Sequence, residues 1–225
     1  MVDYTQSEVI FIMVQRKNYM NKLIKMKDEK IIKVMTGIRR CGKSTLLAMF
    51  QEYLKQKGVE EDQIISINFE ELQYEHLLGY RELNNYVTAR LKEKKRTYVF
   101  LDEIQNVNDF QRTVNSLFTN DNIDLYITGS NAYLLSGELA TLLTGRYIEI
   151  NMLPLSFAEY FELKGGGIKR DVFTSFFKNG AFPQATTIAD DEIRADYIKG
   201  IYNTVLLKDI VARKRFSSNV KIGSW

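Results

Sequence analysis

The sequence predicts an α/β protein with a parallel five-stranded sheet covered by helices, followed by a smaller helical subdomain. Five short β-rich runs alternate with segments in which apolar residues recur at helical spacing, and this alternation is typical of parallel sheets. After residue 150 the strand signals stop and only helical spacing continues. A glycine-containing loop joins the first strand to the first amphipathic helix of the alternating region, as in nucleotide-binding folds.

The predicted strands are Ile31–Thr36, Gln63–Phe69, Thr97–Leu101, Ile123–Thr128 and Tyr147–Ile150. Short helices are expected over Ser156–Leu163 and Arg170–Lys178, and a longer one carries an apolar stripe from Ile193 to Leu206. We therefore expect a helical lead-in over residues 1–28, a core over 29–152, a helical lid over 153–215 and a poorly ordered tail over 216–225.

Composition narrows the class of protein. The chain has 225 residues and a net charge of +3, so neither a nucleic-acid partner nor its absence follows from charge alone. One cysteine and one histidine can form neither an intrachain disulfide nor a structural zinc site. No run reaches the roughly 20 apolar residues of a membrane span, and the early apolar run lacks the basic start of a secretion signal. We expect a cytoplasmic protein with no membrane partner.

The segment Gly37–Ser44 fits the pattern G-x-x-x-x-G-K-[ST] between a strand and a helix, which is the context that a phosphate-binding loop requires. Gly37 and Gly42 let successive backbone N–H groups point at phosphates, aided by the positive end of the following helix. Lys43 is expected to reach the β- and γ-phosphates, and the Ser44 hydroxyl to bind magnesium. The sequence thus predicts ATP and Mg²⁺ as ligands.

The remaining residues of this loop have less specific roles. Arg40, Cys41 and Thr45 are counted among the nucleotide-binding residues by position. Cys41 has no nearby histidine to activate it and is expected to fill space. Arg39 and Arg40 either lie in solvent or face a neighbouring domain or subunit.

Polar residues follow the third and fourth predicted strands. Asp102 and Glu103 form a Walker B pattern, in which Asp102 would hold the magnesium ion and Glu103 would polarise the attacking water. After the fourth strand, Ser130 or Asn131 either contacts the γ-phosphate as a sensor or caps the next helix. In proteins of this kind, the fourth strand is expected to lie between the first and the third.

The motifs together resemble a known family. They are Gly37–Leu47, Leu101–Gln105, Thr128–Asn131, Leu143–Arg146 and Leu153–Phe157, in that order. They are similar to the prokaryotic AAA-like P-loop ATPases of the archaeal-ATPase group, in the ASCE class of the AAA+ superfamily, which is allied to replication-initiator and signal-transduction ATPases. The resemblance implies a RecA-like core with a helical lid. It also implies a further C-terminal domain, so we expect this chain to be the ATPase part of a longer protein.

Three more roles come from the resemblance alone. Arg146 matches an arginine-finger position, acting on a neighbouring subunit's ATP or on its own. Pro183 resembles a Gly-x-Pro lid element that touches the base, although Asn179 stands where a second glycine is usual. Gln105 matches a position that senses nucleotide state.

The leading hypothesis is a magnesium-dependent ATPase whose γ-phosphate cleavage drives a conformational switch between core and lid. One alternative is a nucleotide-binding switch that hydrolyses negligibly alone and acts in a homo-oligomer or with a partner protein. A small-molecule kinase is another, disfavoured by Glu103 beside Asp102. DNA binding through basic clusters at residues 16–17, 92–96 and 213–215 is a weaker hypothesis.

Overall fold

The computed structural model describes residues 15–129, 143 and 145–205, and within them the predicted fold class is confirmed. Five parallel strands form one sheet in the order β2-β3-β4-β1-β5, so β4 lies between β1 and β3 as expected. The strands are β1 Ile32–Gly37, β2 Ile64–Asn68, β3 Thr97–Asp102, β4 Ile123–Thr128 and β5 Tyr147–Met152.

Seven α-helices surround or follow the sheet in the described part of the chain. They are α1 Lys17–Met26, α2 Lys43–Gln56, α3 Tyr80–Thr88, α4 Phe110–Phe118, α5 Phe157–Leu163, α6 Lys169–Asn179 and α7 Asp191–Thr204. Helix α7 begins two residues before the predicted apolar stripe because Asp190 caps it, accepting hydrogen bonds from the N–H groups of Glu192 and Ile193. The described residues end at 205, so the tail predicted over 216–225 lies outside them.

The central strands β1, β3 and β4 are buried on both faces, which explains why they have few alternating polar positions, whereas the edge strands β2 and β5 have exposed positions. Helices α3 and α4 cover one face with residues such as Leu83 and Val114, and α1 and α2 cover the other with Leu23 and Phe50. No helix among the described residues is long and apolar enough to cross a bilayer.

A buried polar cluster lies under the sheet at the amino ends of its strands. Lys33 on β1 and Asp124 on β4 form an ion pair in which both side chains are fully buried. Asp124 also accepts hydrogen bonds from the Tyr126 hydroxyl at 2.9 Å and from the backbone N–H of Asp28 at 2.8 Å. Lys33 donates its second hydrogen bond to the carbonyl of Glu29 at 2.8 Å. The carboxylate therefore ties the segment after α1 to two strands of the sheet.

The start of α1 is fixed to the junction between β5 and α5 by Arg16, which is only 6% exposed. Its guanidinium donates to the carbonyl of Leu153 at 2.6 Å and lies 3.3 Å from the Glu159 carboxylate. The ring of Tyr19 lies 4.8 Å below the guanidinium carbon, and the Tyr19 hydroxyl accepts the N–H of Leu153. Arg16 thus joins the segment before α1 to β5 and α5, and its burial removes it from the basic surface cluster suggested at residues 16–17.

The helical part after β5 has its own aromatic centre. Phe157 packs against Phe161, Phe173 and Phe176, with ring centroids 5.3–5.9 Å apart. Tyr160 is fully buried beside Phe176. These contacts join α5 to α6, as the predicted lid requires.

Candidate functional site

The loop between β1 and α2 has the backbone conformation that its glycines allow. Gly37 has φ 151°, and a Cβ there would lie 2.5 Å from the carbonyl oxygen of Met152. No other residue fits that position without displacing β5. Gly42 has φ 102° and precedes α2, so the loop turns directly into the amino end of that helix. This end carries free N–H groups and partial positive charge, which suit an anion.

Lys43 is the first residue of α2, and its ammonium group is folded back into the loop. Its Nζ atom lies 3.3 Å from the carbonyl of Gly37, 3.4 Å from that of Ile38 and 3.6 Å from a carboxylate oxygen of Glu103. The side chain is 4% exposed. The ammonium thus donates to two backbone carbonyls and lies within ion-pair distance of a carboxylate. A bound phosphate would offer stronger, charged acceptors in exchange.

The carboxylate of Asp102 ends β3 next to this loop, as the sequence predicted. It accepts a hydrogen bond from the Thr128 hydroxyl, and the nearby Ser44 hydroxyl also favours its charged form. Burial raises the pKa of Asp102 above its ordinary value, and the hydrogen bonds from Ser44 and Thr128 offset only part of that shift. A buried carboxylate with raised pKa favours an added positive charge beside it.

The donor set fits a hard divalent cation such as Mg²⁺. Within the part of the chain that the structure describes, no cluster of three or more His, Cys, Asp or Glu side chains stands ready to hold a metal. Magnesium in phosphate sites is bound by one or two protein oxygens together with phosphate oxygens and water, so such a cluster is not required. Ser44 and Asp102, which are close enough for the Ser44 hydroxyl to lower the pKa of the carboxylate, would supply those protein oxygens.

Glu103 leaves the strand in a left-handed conformation, with φ 54° and ψ 47°. Its side chain is 7% exposed and lies between the Lys43 ammonium and the amide of Gln105, which donates to the second carboxylate oxygen at 2.5 Å. Its backbone N–H donates to the Thr128 hydroxyl at 3.0 Å. Thr128 was not among the predicted site residues, although its position at the end of the fourth predicted strand was visible in the sequence.

The helical part after β5 reaches the loop Gly37–Ser44 at two points. The Arg40 guanidinium donates to the Tyr197 hydroxyl on α7 at 3.1 Å and lies 5.4 Å from the centre of its ring. A Cβ at Gly42 would lie 3.8 Å from Pro183. Arg40 is exposed to solvent and also contacts the helical part of its own chain, so features of both predicted placements are present. Pro183 faces the loop at this end of the lid.

The other predicted site residues are placed as follows. Cys41 is fully buried and burial raises the pKa of its thiol, so it fills space as expected. Thr45 is exposed at the start of α2, and Arg39 pairs with Glu70 at 3.2 Å. Ser130 and Asn131 lie outside the described residues, as does the helix start proposed after them.

Arg146 is not brought to the loop. It precedes β5 at the amino end of the sheet, its carbonyl accepts the N–H of Ile32, and its guanidinium carbon lies 5.7 Å from the centre of the Phe118 ring. Strand β1 has six residues, and its first, Ile32, lies roughly 17 Å along the strand from its last, Gly37. Action of Arg146 on the nucleotide of its own chain is therefore incompatible with this structure.

The basic cluster at residues 92–96 is largely neutralised. Lys92 pairs with Asp62 at 2.5 Å, Lys95 with Glu60 at 2.5 Å, and Arg96 lies 3.8 Å from Asp28. A phosphate backbone would have to compete with these carboxylates, which weakens the case for nucleic acid at this surface.

Comparison with known proteins agrees with this geometry. Residues 29–161 match a protein family described as an AAA domain. An uncharacterized protein of Haemophilus influenzae is 38% identical over 206 residues, covering 89% of this chain and 51% of its own length. An uncharacterized protein of Methanocaldococcus jannaschii is 34% identical over 195 residues, covering 81% and 42%. The chain thus spans about half the length of the curated relatives that it matches.

Among solved structures, the Walker-type ATPase of Pyrococcus abyssi has the same fold, with a TM-score of 0.56 and 16% identity over 92% of this chain and 77% of that one. At this identity the likeness concerns the fold alone. Family match and fold agree with the resemblance that the motifs indicated.

Proposed function

The chain belongs to the AAA domain family, and we propose that it binds ATP with magnesium at Gly37–Ser44 and hydrolyses it to drive a conformational change between core and lid. Family and fold support a nucleotide-binding ATPase of AAA type. The observation that carries the finer proposal is that the start of α2 lies against the carboxyl end of β3. Lys43 and Ser44 open α2 within contact of Glu103 and Asp102 at the end of β3.

The division of roles follows from the contacts of each group. The loop amides and the Lys43 ammonium would hold the phosphates, and Ser44 and Asp102 would hold a magnesium ion, which supplies charge neutralisation on the phosphate oxygens. Glu103 would take the proton of the attacking water, because its carboxylate becomes free of Lys43 when phosphate recruits that ammonium. The water oxygen bonds to the γ-phosphorus, the bond to the bridging oxygen breaks, and ADP leaves.

Replacement of Lys43 tests nucleotide binding. In Lys43→Ala we expect the affinity for Mg-ATP to fall about 10- to 100-fold, because a charged hydrogen bond to phosphate contributes about 1.5–3 kcal/mol. Calorimetric titration measures this, with phosphate release recorded in parallel. Lys55→Ala is the matched control, since Lys55 lies at the far end of the same helix and pairs with Glu52. Equal affinity in wild type and Lys43→Ala would contradict the proposal.

The contact of Arg40 with Tyr197 supports the switch. Arg40 belongs to the phosphate-binding loop, has φ 65°, and touches the lid across 157 positions of sequence. Any movement of the loop on phosphate binding would therefore be transmitted to α7. In this proposal the bound nucleotide determines whether the loop and the lid are in contact, so both move together.

Removal of one hydroxyl tests this coupling. Tyr197→Phe keeps the ring under the Arg40 guanidinium and removes the hydrogen-bond acceptor. Because the pair is exposed, we expect a two- to five-fold shift in the ATP concentration for half-maximal phosphate release, corresponding to about 0.5–1 kcal/mol. Tyr202→Phe, on the same helix and 63% exposed, is the control and should leave that concentration unchanged. Identical behaviour of the two variants would remove Tyr197 from the switch.

The position of Arg146 favours a second candidate, a binding switch with negligible hydrolysis in the monomer. Since its guanidinium lies at the opposite end of the sheet from the loop, an arginine finger here acts only on a neighbouring subunit. Phosphate release per chain would then rise with protein concentration, in step with assembly measured by light scattering. A specific rate independent of concentration would favour the self-sufficient ATPase.

A further inference from the structure

Thr128 occupies a position between the two acids of the site. It is the last residue of β4 and is fully buried. Its hydroxyl donates to the Oδ1 atom of Asp102 and accepts the backbone N–H of Glu103 at 3.0 Å. One hydroxyl group therefore contacts both the proposed magnesium ligand and the residue proposed to activate water.

The direction of these two hydrogen bonds is fixed by chemistry. A backbone N–H can only donate, so the Thr128 oxygen accepts from Glu103. The hydroxyl proton is then left for the Asp102 carboxylate, which accepts it. The hydroxyl has no free rotation between alternative partners, because each neighbour permits only one role.

The local backbone explains why a side chain is needed here. The ladder between β3 and β4 ends at the pair Leu101–Ile127. Glu103 then turns into the left-handed region, and its N–H leaves the ladder without a strand carbonyl to accept it. In a buried site an unpaired N–H is costly, and the Thr128 hydroxyl satisfies it.

We infer that Thr128 is a positioning residue of the ATPase site, acting through Asp102 and Glu103 without touching the substrate; this inference rests on the proposed function. With one oxygen of Asp102 held by Thr128, rotation of the carboxylate is restricted, and its orientation towards Ser44 is preserved. The same hydroxyl fixes the point from which the Glu103 side chain departs. Such support is what a site needs for its charged groups to be held ready before the substrate arrives.

Two substitutions separate the hydroxyl from the shape of the side chain. Thr128→Val is nearly isosteric and lacks the hydroxyl, whereas Thr128→Ser keeps the hydroxyl and loses a methyl group. In Thr128→Val we expect the Mg²⁺ concentration that half-saturates ATP binding, measured by calorimetry, to rise about tenfold or more, with a similar fall in kcat. Thr128→Ser should restore both values, and ATP affinity without Mg²⁺ should stay the same in all three proteins.

The control is a second buried threonine. Thr113 is 1% exposed and donates its hydroxyl to the carbonyl of Tyr80 at 2.6 Å, away from the loop. Thr113→Val should lose stability in the same way but keep the wild-type Mg²⁺ dependence. If Thr128→Val fails to fold, Thr128→Ala carries the same expectation.

The outcomes separate the inference from its premise. Unchanged Mg²⁺ dependence in Thr128→Val, with normal binding by wild type, would overturn the inference and leave the proposed function standing. Wild-type protein that binds no Mg-ATP would overturn the proposed function itself.

Discussion

Glu103→Gln is expected to lower the rate of phosphate release about 10²- to 10⁴-fold while Mg-ATP binding is retained, since that is the range for loss of a general base. The amide has the shape of the carboxylate and suits the same left-handed backbone, so the strand end should not move. It also still offers an acceptor to Gln105. What it loses is the negative charge that takes the proton of water.

Binding should be equal to that of wild type or tighter. In the structure the Glu103 carboxylate lies 3.6 Å from the Lys43 ammonium and competes with phosphate for it. The amide removes that competition. Calorimetry measures the affinity, and single-turnover phosphate release measures the chemical step, so the two effects are read separately.

Glu71→Gln is the matched control. Glu71 lies three residues after the end of β2, and it accepts a hydrogen bond from Gln73 two positions later, as Glu103 does from Gln105. It is exposed, and the side-chain hydrogen bond described for it comes from Gln73. A wild-type rate in Glu103→Gln would show that another group activates the water.

The strands, the loop Gly37–Ser44 and the position of Asp102 follow from local sequence. The strands have continuous apolar runs because both faces of the sheet are covered, and the loop has a pattern that its own backbone geometry imposes. Asp102 was placed beside Ser44 from the Walker B pattern and from topology, because parallel strands bring their carboxyl ends to one edge. Residues whose roles depend on neighbours in sequence were therefore predicted.

Contacts between segments that are distant in sequence were not predicted. The Arg40–Tyr197 contact depends on where the lid lies relative to the core, and no periodicity encodes that. Arg16 was grouped with Lys17 as a basic cluster, yet it is buried against Leu153, which a charge count does not indicate. Thr128 was assigned to a strand because its residue type suits one, which concealed its hydroxyl contacts.

The buried ion pair of Lys33 and Asp124 was likewise not predicted, and it has a larger effect on the free energy of unfolding. Lys33 and Asp124 stand within runs that otherwise consist of apolar residues, and each by itself suggests an exposed position. Only the strand order, which puts β4 beside β1, brings them together. Buried charges are tolerated when they are paired and hydrogen-bonded, and both conditions are met here.

Asp124→Ala is expected to lower the free energy of unfolding by about 3–5 kcal/mol, because it leaves the buried Lys33 ammonium without its partner. Two further donors, the Tyr126 hydroxyl and the Asp28 N–H, lose their acceptor as well. Urea unfolding at neutral pH measures the loss. Asp121→Ala is the control: Asp121 is 94% exposed and pairs with Lys30 at 3.0 Å, so its removal should cost about 0–1 kcal/mol.

The pH dependence distinguishes an unpaired charge from a simple packing defect. Burial lowers the pKa of Lys33 from its ordinary 10.5, and attraction to Asp124 offsets part of that shift, so the variant should lower it further. Between the folded pKa and 10.5 the unfolded chain binds more protons than the folded one, and stability therefore rises with pH in that window. The loss in Asp124→Ala should thus be smaller at about pH 10 than at about pH 7. A loss that is the same at both pH values would mean that the cavity, and not the unpaired ammonium of Lys33, destabilises the variant.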